Sequence, residues 1–309
     1  MEQSKKLIII LGVPFNGDGT TPEQENPPNS LRQAGLLECL QSGGRTVIDL
    51  GNVEIPEFDG KRDVETKIFN LHAWLKTSKS VAEMIASIDK NAFLLVLGGD
   101  CSILMGIFGG FALQSRRVGL VMLDGHTDYR EPATSETGEP ADIELAVISG
   151  RGPQRATEFF GKCPLVREED VIVYGYREPD EIENSKIKCF DRFKMARMGI
   201  KQAVKKGLTG LEKRLPIWLH LDVDALDPSV IPVYYPEPDG LSIDEVTQFL
   251  DTCIETGRII GLSIGCYHPS LDTTGQGAKS IISLLPSQTI FTKFWSEINS
   301  LDNTFGVLH

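Results

Sequence analysis

The stretch Gly119-Leu-Val-Met-Leu-Asp124-Gly-His126-Thr-Asp128 has a counterpart further on, Leu215-Pro-Ile-Trp-Leu-His220-Leu-Asp222-Val-Asp224-Ala-Leu-Asp227-Pro228. In each, an apolar run ends in a cluster of aspartates with a histidine. Such a run predicts a buried parallel strand whose C-terminal end delivers side chains to a site. Residues two apart on a strand share a face, so Asp124, His126 and Asp128 are expected to converge, and likewise Asp222 and Asp224. Four carboxylates packed together repel one another strongly unless a cation lies among them. Hard oxygen donors with a single imidazole suit Mn²⁺ better than the thiol-rich sites that hold zinc. The alternative is that both clusters merely cap the turns that follow their strands.

Outward from these clusters, the chain reads as a soluble enzyme. Its 309 residues are 41% hydrophobic and 24% charged, ordinary for a globular protein. The net charge of −12 argues against nucleic acid or an anionic membrane as partner, since both need a basic face. The runs Leu7–Leu11 and Phe93–Leu97 are too short to cross a bilayer. The start, Met1-Glu-Gln-Ser-Lys-Lys6, lacks the apolar stretch of a signal peptide. Six cysteines without paired spacing fit reduced thiols. A cytoplasmic location is the expectation.

Apolar strand candidates recur at Leu7–Leu11, Thr46–Leu50, Phe93–Leu97, Gly119–Leu123, Val171–Tyr174, Ile217–Leu221 and Ile259–Ile264, with a last one near Gln288–Ile290. Amphipathic stretches lie between them. One starts at Asn29-Ser-Leu-Arg with an Asn/Ser cap, and another at the Ser-x-x-Glu box Ser242–Glu245. Strand and helix in alternation predict βαβ units and a mainly parallel sheet covered on both faces. No linker or internal repeat divides the chain, so residues 1–309 read as one domain. Asn16–Asn29 and Tyr129–Asp142 read as loops over the site.

The ordered motifs carry a resemblance. Gly12-Val-Pro-Phe15, Pro28-Asn-Ser-Leu-Arg-Gln-Ala-Gly-Leu-Leu37, Gly98-Gly-Asp-Cys-Ser102, Asp124–Asp128 and His220–Pro228 together resemble the arginase/agmatinase/formimidoylglutamase family of binuclear manganese ureohydrolases, nearly end to end. The resemblance implies a three-layer αβα fold with a central, mainly parallel eight-stranded sheet, assembled as a homotrimer or homohexamer. It implies two Mn²⁺ per subunit. One would be held by Cys101, Asp124, Asp128 and Asp222, the other by His126, Asp124, Asp222 and Asp224, with Asp124 and Asp222 bridging. A water between two such cations ionises near neutral pH and would attack the planar guanidinium carbon. Asp128 would then accept and shuttle its proton. Asp100 and Asp227 are expected to cap loops or brace ligands instead.

The chain departs from the family at three positions. Cys101 stands where the family places a histidine ligand, and thiolate is a soft partner for Mn²⁺, so the first site is expected to bind weakly, prefer another metal, or stand empty beside a single metal. A packed core cysteine that leaves the metal one ligand short is the equal alternative. Ala141 stands where arginases place a proton-shuttling histidine, and Cys266 where a glutamate grips the guanidinium. Other residues point back to an amino-acid substrate. Asp180 and Glu183 align with the arginase residues that receive the α-ammonium, although a surface charge run explains Glu178–Glu183 nearly as well. Arg130 and Thr137 align with those that bind the carboxylate, Arg130 in bidentate fashion. His220 and His268 remain spare, and packing is the expected role for both.

Three functions stay open from sequence. The leading one is hydrolysis of arginine or a modified arginine such as Nω-hydroxyarginine. The second is the same chemistry on agmatine, formimidoyl-glutamate or a small guanidine. The third is a catalytically idle binding subunit, against which the retained metal carboxylates and His126 argue, because unneutralised they would destabilise the fold.

Overall fold

The computed structural model describes residues 7–42 and 45–285. Eight strands form its core: β1 (Leu7–Val13), β2 (Thr46–Asn52), β3 (Phe93–Gly98), β4 (Gly119–Leu123), β5 (Val171–Tyr174), β6 (Lys188–Phe190), β7 (Ile217–Asp222) and β8 (Ile259–Gly265). They form one sheet in the order β2-β1-β3-β8-β7-β4-β5-β6, and every neighbouring pair is parallel. The predicted strand near Gln288–Ile290 lies outside the described residues. The eighth strand is β6, a three-residue edge strand that the apolar pattern does not reveal.

Alternation along each strand explains the layers. Ile8 and Ile10 of β1, Phe93, Leu95 and Leu97 of β3 and Ile217, Leu219 and Leu221 of β7 enter one core. Their neighbours Ile9, Leu11, Leu94, Val96 and Trp218 enter another on the opposite face. The first core is closed by α1 (Pro27–Gln33), α2 (Leu36–Gln41), α7 (Arg192–Met198), α8 (Ile200–Leu208), α9 (Ile243–Ile254) and α10 (Gln276–Leu284). The second is closed by α3 (Leu71–Ser87), α4 (Leu104–Leu113), α5 (Glu144–Ile148) and α6 (Gln154–Thr157). The fold is therefore the expected αβα sandwich. Among the described residues no helix is long and apolar enough to cross a membrane.

The helix expected from Asn29 is two helices. Asn26 caps α1 by accepting from the Asn29 N–H, with Pro27 and Pro28 in the first turn where a missing N–H costs nothing. Gly35, at φ 100°, then breaks the run before α2. The Ser242–Glu245 capping box forms as expected at the start of α9.

Register decides where the chemistry goes. Leu123 of β4 lies beside Leu221 of β7, Leu221 beside Ile264 of β8, and Leu97 of β3 also beside Ile264. The four central strands thus end in line, and Gly98, Asp124, Asp222 and Gly265 follow at one level. The order β3-β8-β7-β4 places this edge where the chain reverses its direction of sheet building, the usual ligand position of such sheets.

Close packing under this edge gives a test. A Cβ on Gly261 of β8 would strike the Trp218 ring and approach the Leu94 carbonyl oxygen to 2.6 Å. Gly261→Ala should lower stability by about 1–3 kcal/mol through overpacking. Urea unfolding should show a lower midpoint at unchanged slope, and an unshifted midpoint would mean the sheet yields there.

Candidate active site and cation centre

The loop after β3 carries Asp100 and Cys101. Gly99 lets this loop press on the loop after β1: a Cβ there would strike the Phe15 carbonyl and lie 2.6 Å from the Asn16 side chain. Asp100 caps the turn beyond, accepting from the Ser102 N–H at 3.1 Å and also from the Gly17 N–H. Its role is the expected loop brace, and Asp227 likewise accepts from the Ser229 N–H at 3.0 Å. The Cys266 N–H donates to the Gly99 carbonyl at 2.6 Å, which ties the β8 end to the β3 end. Cys266 adopts φ 61°, a left-handed backbone that costs a non-glycine residue about 1–2 kcal/mol. The two sulfurs lie 3.7 Å apart.

Cys101 is fully buried. Its Sγ is 2.8 Å from Asp222 Oδ2, 3.8 Å from Asp124 Oδ2 and 3.0 Å from His220 Nε2. His220 is buried and held from behind, its Nδ1 2.7 Å from Ser263 Oγ, which accepts from the Trp218 indole N–H at 2.8 Å. The spare histidine of the sequence is thus packed, but packed against the thiol. His268 lies at the cavity, its ring 4.1 Å from that of Tyr234.

Asp124, His126 and Asp128 meet at one centre, though not as successive residues of one strand face. Strand β4 ends at Leu123, so strict alternation ceases before Asp124, and Asp128 takes a left-handed backbone at φ 49°. Their donors fall into overlapping groups, with Cys101 also within reach of Asp124 and His220. Asp124, His126 and Asp224 offer donors all within 4.8 Å of one another, and so do Cys101, Asp128 and Glu144. His126 Nδ1 sits 2.8 Å from Asp224 Oδ2, while Asp224 Oδ1 accepts from the Gly125 N–H at 2.8 Å. Asp222 accepts from the Asp224 N–H at 2.7 Å, and its donors group with Cys101 and Cys266.

Burial is the main force on these acids. It pushes Asp124 and Asp128 well above the usual carboxylate range, and the neighbouring carboxylates push further. Asp222 is raised to about 7 by burial and by Asp224. Burial alone would lower the His126 imidazole, but its bond and charge attraction to Asp224 outweigh that and raise it to about 9. Against burial, the same pairing holds Asp224 below the usual range. Burial also drives the Cys101 thiol well upward and His220 down to about 3. Buried, mutually repelling oxygen donors beside the His126 and His220 imidazoles and the Cys101 and Cys266 thiols fit divalent cations.

A cavity of about 550 Å³ opens over the cluster. The loops read from sequence as its cover do line it, through Asn16 and Asp18 from one and Arg130, Glu136, Thr137, Glu139, Ala141 and Asp142 from the other. Arg130 lies 3.4 Å from Asp142, and Thr137 is exposed at the rim. Asp180 lines the wall while accepting from the Tyr129 and Ile182 N–H groups at 3.0 and 2.9 Å. Glu183 is exposed in the following turn and does not line the cavity. Sequence reading missed Asp18, Glu139, Tyr234, Tyr235 and Glu237 on the walls, and Glu144 beneath. Only Glu144 left a signal, as the one acid inside Ile143-Glu-Leu-Ala-Val-Ile148.

A model of the arginase family matches residues 6–289. The arginase of Bacillus subtilis (strain 168) is 30% identical over 289 residues, 91% of this chain and 97% of that protein. Arginase-1 of Homo sapiens is 32% identical over 288 residues, 89% of this chain and 88% of its own length. The crystal structure of the Bacillus caldovelox arginase superposes with a TM-score of 0.85 at 28% identity, covering 93% of this chain and 98% of that one.

The electrostatics predict a pH effect on metal-free protein. Asp124, Asp128 and Asp222 bind protons more tightly folded than unfolded, so their contribution is greatest at acid pH and is lost as pH rises, that of Asp222 through about 7. His126, raised to about 9, contributes stability that is likewise lost as pH climbs through that value. Chelated protein should therefore melt at progressively lower temperature from about pH 5 to 9. Added Mn²⁺ should flatten the profile, and a flat profile without metal would contradict the unneutralised cluster.

Proposed function

The chain belongs to the arginase family, and on that premise we propose that it hydrolyses the guanidino C–N bond of arginine or a modified arginine such as Nω-hydroxyarginine. Its relatives of that family are hydrolases of C–N bonds in linear amidines, and so is this chain. Water adds across the bond to give ornithine and urea, or a substituted urea. The observation that carries this reading is a cavity whose floor is the buried donor cluster and whose lining, among the described residues, counts eleven carboxylates and a single guanidinium, Arg130. Such a cavity draws in a cationic head group and aims it at the floor.

Cys101, Asp124, Asp128 and Asp222 would hold one divalent cation, and His126, Asp124, Asp222 and Asp224 the other. Bound there, they supply Lewis acidity and make water acidic enough to ionise near neutral pH. Asp128, buried beside the cluster, accepts the proton released at its carboxylate oxygen and returns it to the leaving amine, a route consistent with Ala141 offering no titratable group. Cys266 at the floor provides no charge to clamp a guanidinium, which suits a less basic N-hydroxylated head. At the rim, Arg130 and Thr137 receive the substrate carboxylate and Asp180 its ammonium, with Glu183 contributing at longer range through its charge. We propose that residues 1–309 work as one such domain within a homotrimer or homohexamer.

Replacing Asp124 or Asp222 by Asn should abolish activity and reduce bound metal, because each carboxylate would serve both cations. Near-normal turnover with full metal content would remove that assignment. Cys101→His should raise Mn²⁺ occupancy, since imidazole suits this ion better than sulfur. Unchanged metal in both Cys101→His and Cys101→Ala would mean that the thiol is not a ligand.

Substrate reading is tested by comparing arginine, Nω-hydroxyarginine and agmatine. Loss of the carboxylate removes the bond from Arg130 to substrate, while Arg130 is half exposed and keeps Asp142, so agmatine should be slower by roughly tenfold in kcat/KM. Arg130→Ala should slow the amino acids and spare agmatine. Equal rates on arginine and agmatine in the unaltered protein would shift the assignment to another amidine.

A further inference from the structure

One acid at the centre has no role in the chemistry above. Glu144 opens α5 and is fully buried, yet neither of its carboxylate oxygens makes a well-formed hydrogen bond. A buried carboxylate without a partner costs several kcal/mol, and proteins resolve that cost by pairing, protonation or coordination. A bracing acid would hold a ligand's free atom or backbone by a well-formed bond, and the polar contacts of Glu144, with its own backbone N–H and with Asp128, fall short of that geometry. Instead it faces Cys101 and Asp128, with one donor atom from each of the three within 4.8 Å of the other two. Ions that bind oxygen at about 2.0–2.2 Å and sulfur at about 2.3 Å need ligand atoms no further apart than about 4.5 Å, so only a small adjustment closes the group.

We propose that Glu144 is a ligand of the cation position that Cys101 and Asp128 share. The chemistry gives the reason. Cys101 brings a soft donor to a position otherwise built of carboxylates, and a hard cation held there needs a further hard oxygen. Glu144 supplies it from the first turn of α5 and not from a strand end. Asp224 and His126 belong to the other group and are untouched by this assignment. The proposal rests on the two-cation reading of the preceding subsection, and its test separates the two.

Cation content and affinity are measured by elemental analysis and calorimetric titration with Mn²⁺ on the unaltered protein, Glu144→Gln and Glu144→Leu. Melting temperatures are taken with chelator and with Mn²⁺. In the unaltered protein two cations per chain are expected. Both variants should keep one at unchanged affinity and bind the other at least tenfold more weakly. Without metal they should melt at the same temperature or higher, since an unpartnered acid has gone, while the rise produced by Mn²⁺ shrinks. With Co²⁺ in place of Mn²⁺, the sulfur-to-cobalt absorption that reports Cys101 should weaken in the same variants. Two cations at unaltered affinity in both variants overturns the proposal, as does a metal-free protein that loses stability while cation binding is intact. If the unaltered protein binds a single cation and Glu144→Gln abolishes it, the two-cation reading fails and the role of Glu144 stands. If that single cation survives in both variants, the proposal falls too.

Discussion

Parallel pairing of β7 with both β4 and β8 is the constraint on which the rest depends. It brings Leu123, Leu221 and Ile264 to one level, and β3 joins through β8. Apart from Glu144, the proposed cation ligands follow one to five residues later, on loops that start from these strand ends. A slip of one residue in any of these pairings would turn the apolar side chains of that strand onto the wrong core. The two cores therefore hold the site in place although neither touches substrate.

Charge is the opposing influence. The strand ends crowd carboxylates where water is excluded, and among the described residues His126 pairs with them, closely with Asp224 at 2.8 Å and loosely with Asp124 at 4.0 Å. The resulting repulsion is tolerable in a fold whose central strands are buried on both faces, with β3 and β4 apolar throughout. Stability made by the sheet is thus partly consumed by the site, the usual balance at functional centres.

Much of this was legible in the sequence. Apolar runs gave seven strands, and the motif order gave the family and the level of the site. The eighth strand, Lys188-Cys189-Phe190, was not legible, because a short edge strand needs neither length nor continuous apolarity. The departure of Asp124–Asp128 from strand geometry was missed for a different reason. Alternation is a rule of extended backbone, and Asp128 has left it with a positive φ. Asp180 is legible as a wall residue, whereas the placement of Glu183 depends on a turn that sequence alignment does not see. Glu144 was visible as a charge inside an apolar run, but only its burial and lack of partner in three dimensions make it a question.

The tie between the Cys266 N–H and the Gly99 carbonyl is made by main chain alone. The side chain at 266 is therefore a replaceable fitting in a fixed mount, and Ala141, which also lines the cavity, is a second position where a small side chain stands. Lineages that share this architecture can exchange the groups at such mounts by single codon changes while the sheet beneath is undisturbed. Left-handed backbone at 266 narrows the choice only mildly, against β-branched residues. Divergence of chemistry in such a scaffold is then paced by mutation at a few loop positions and proceeds almost independently of foldability.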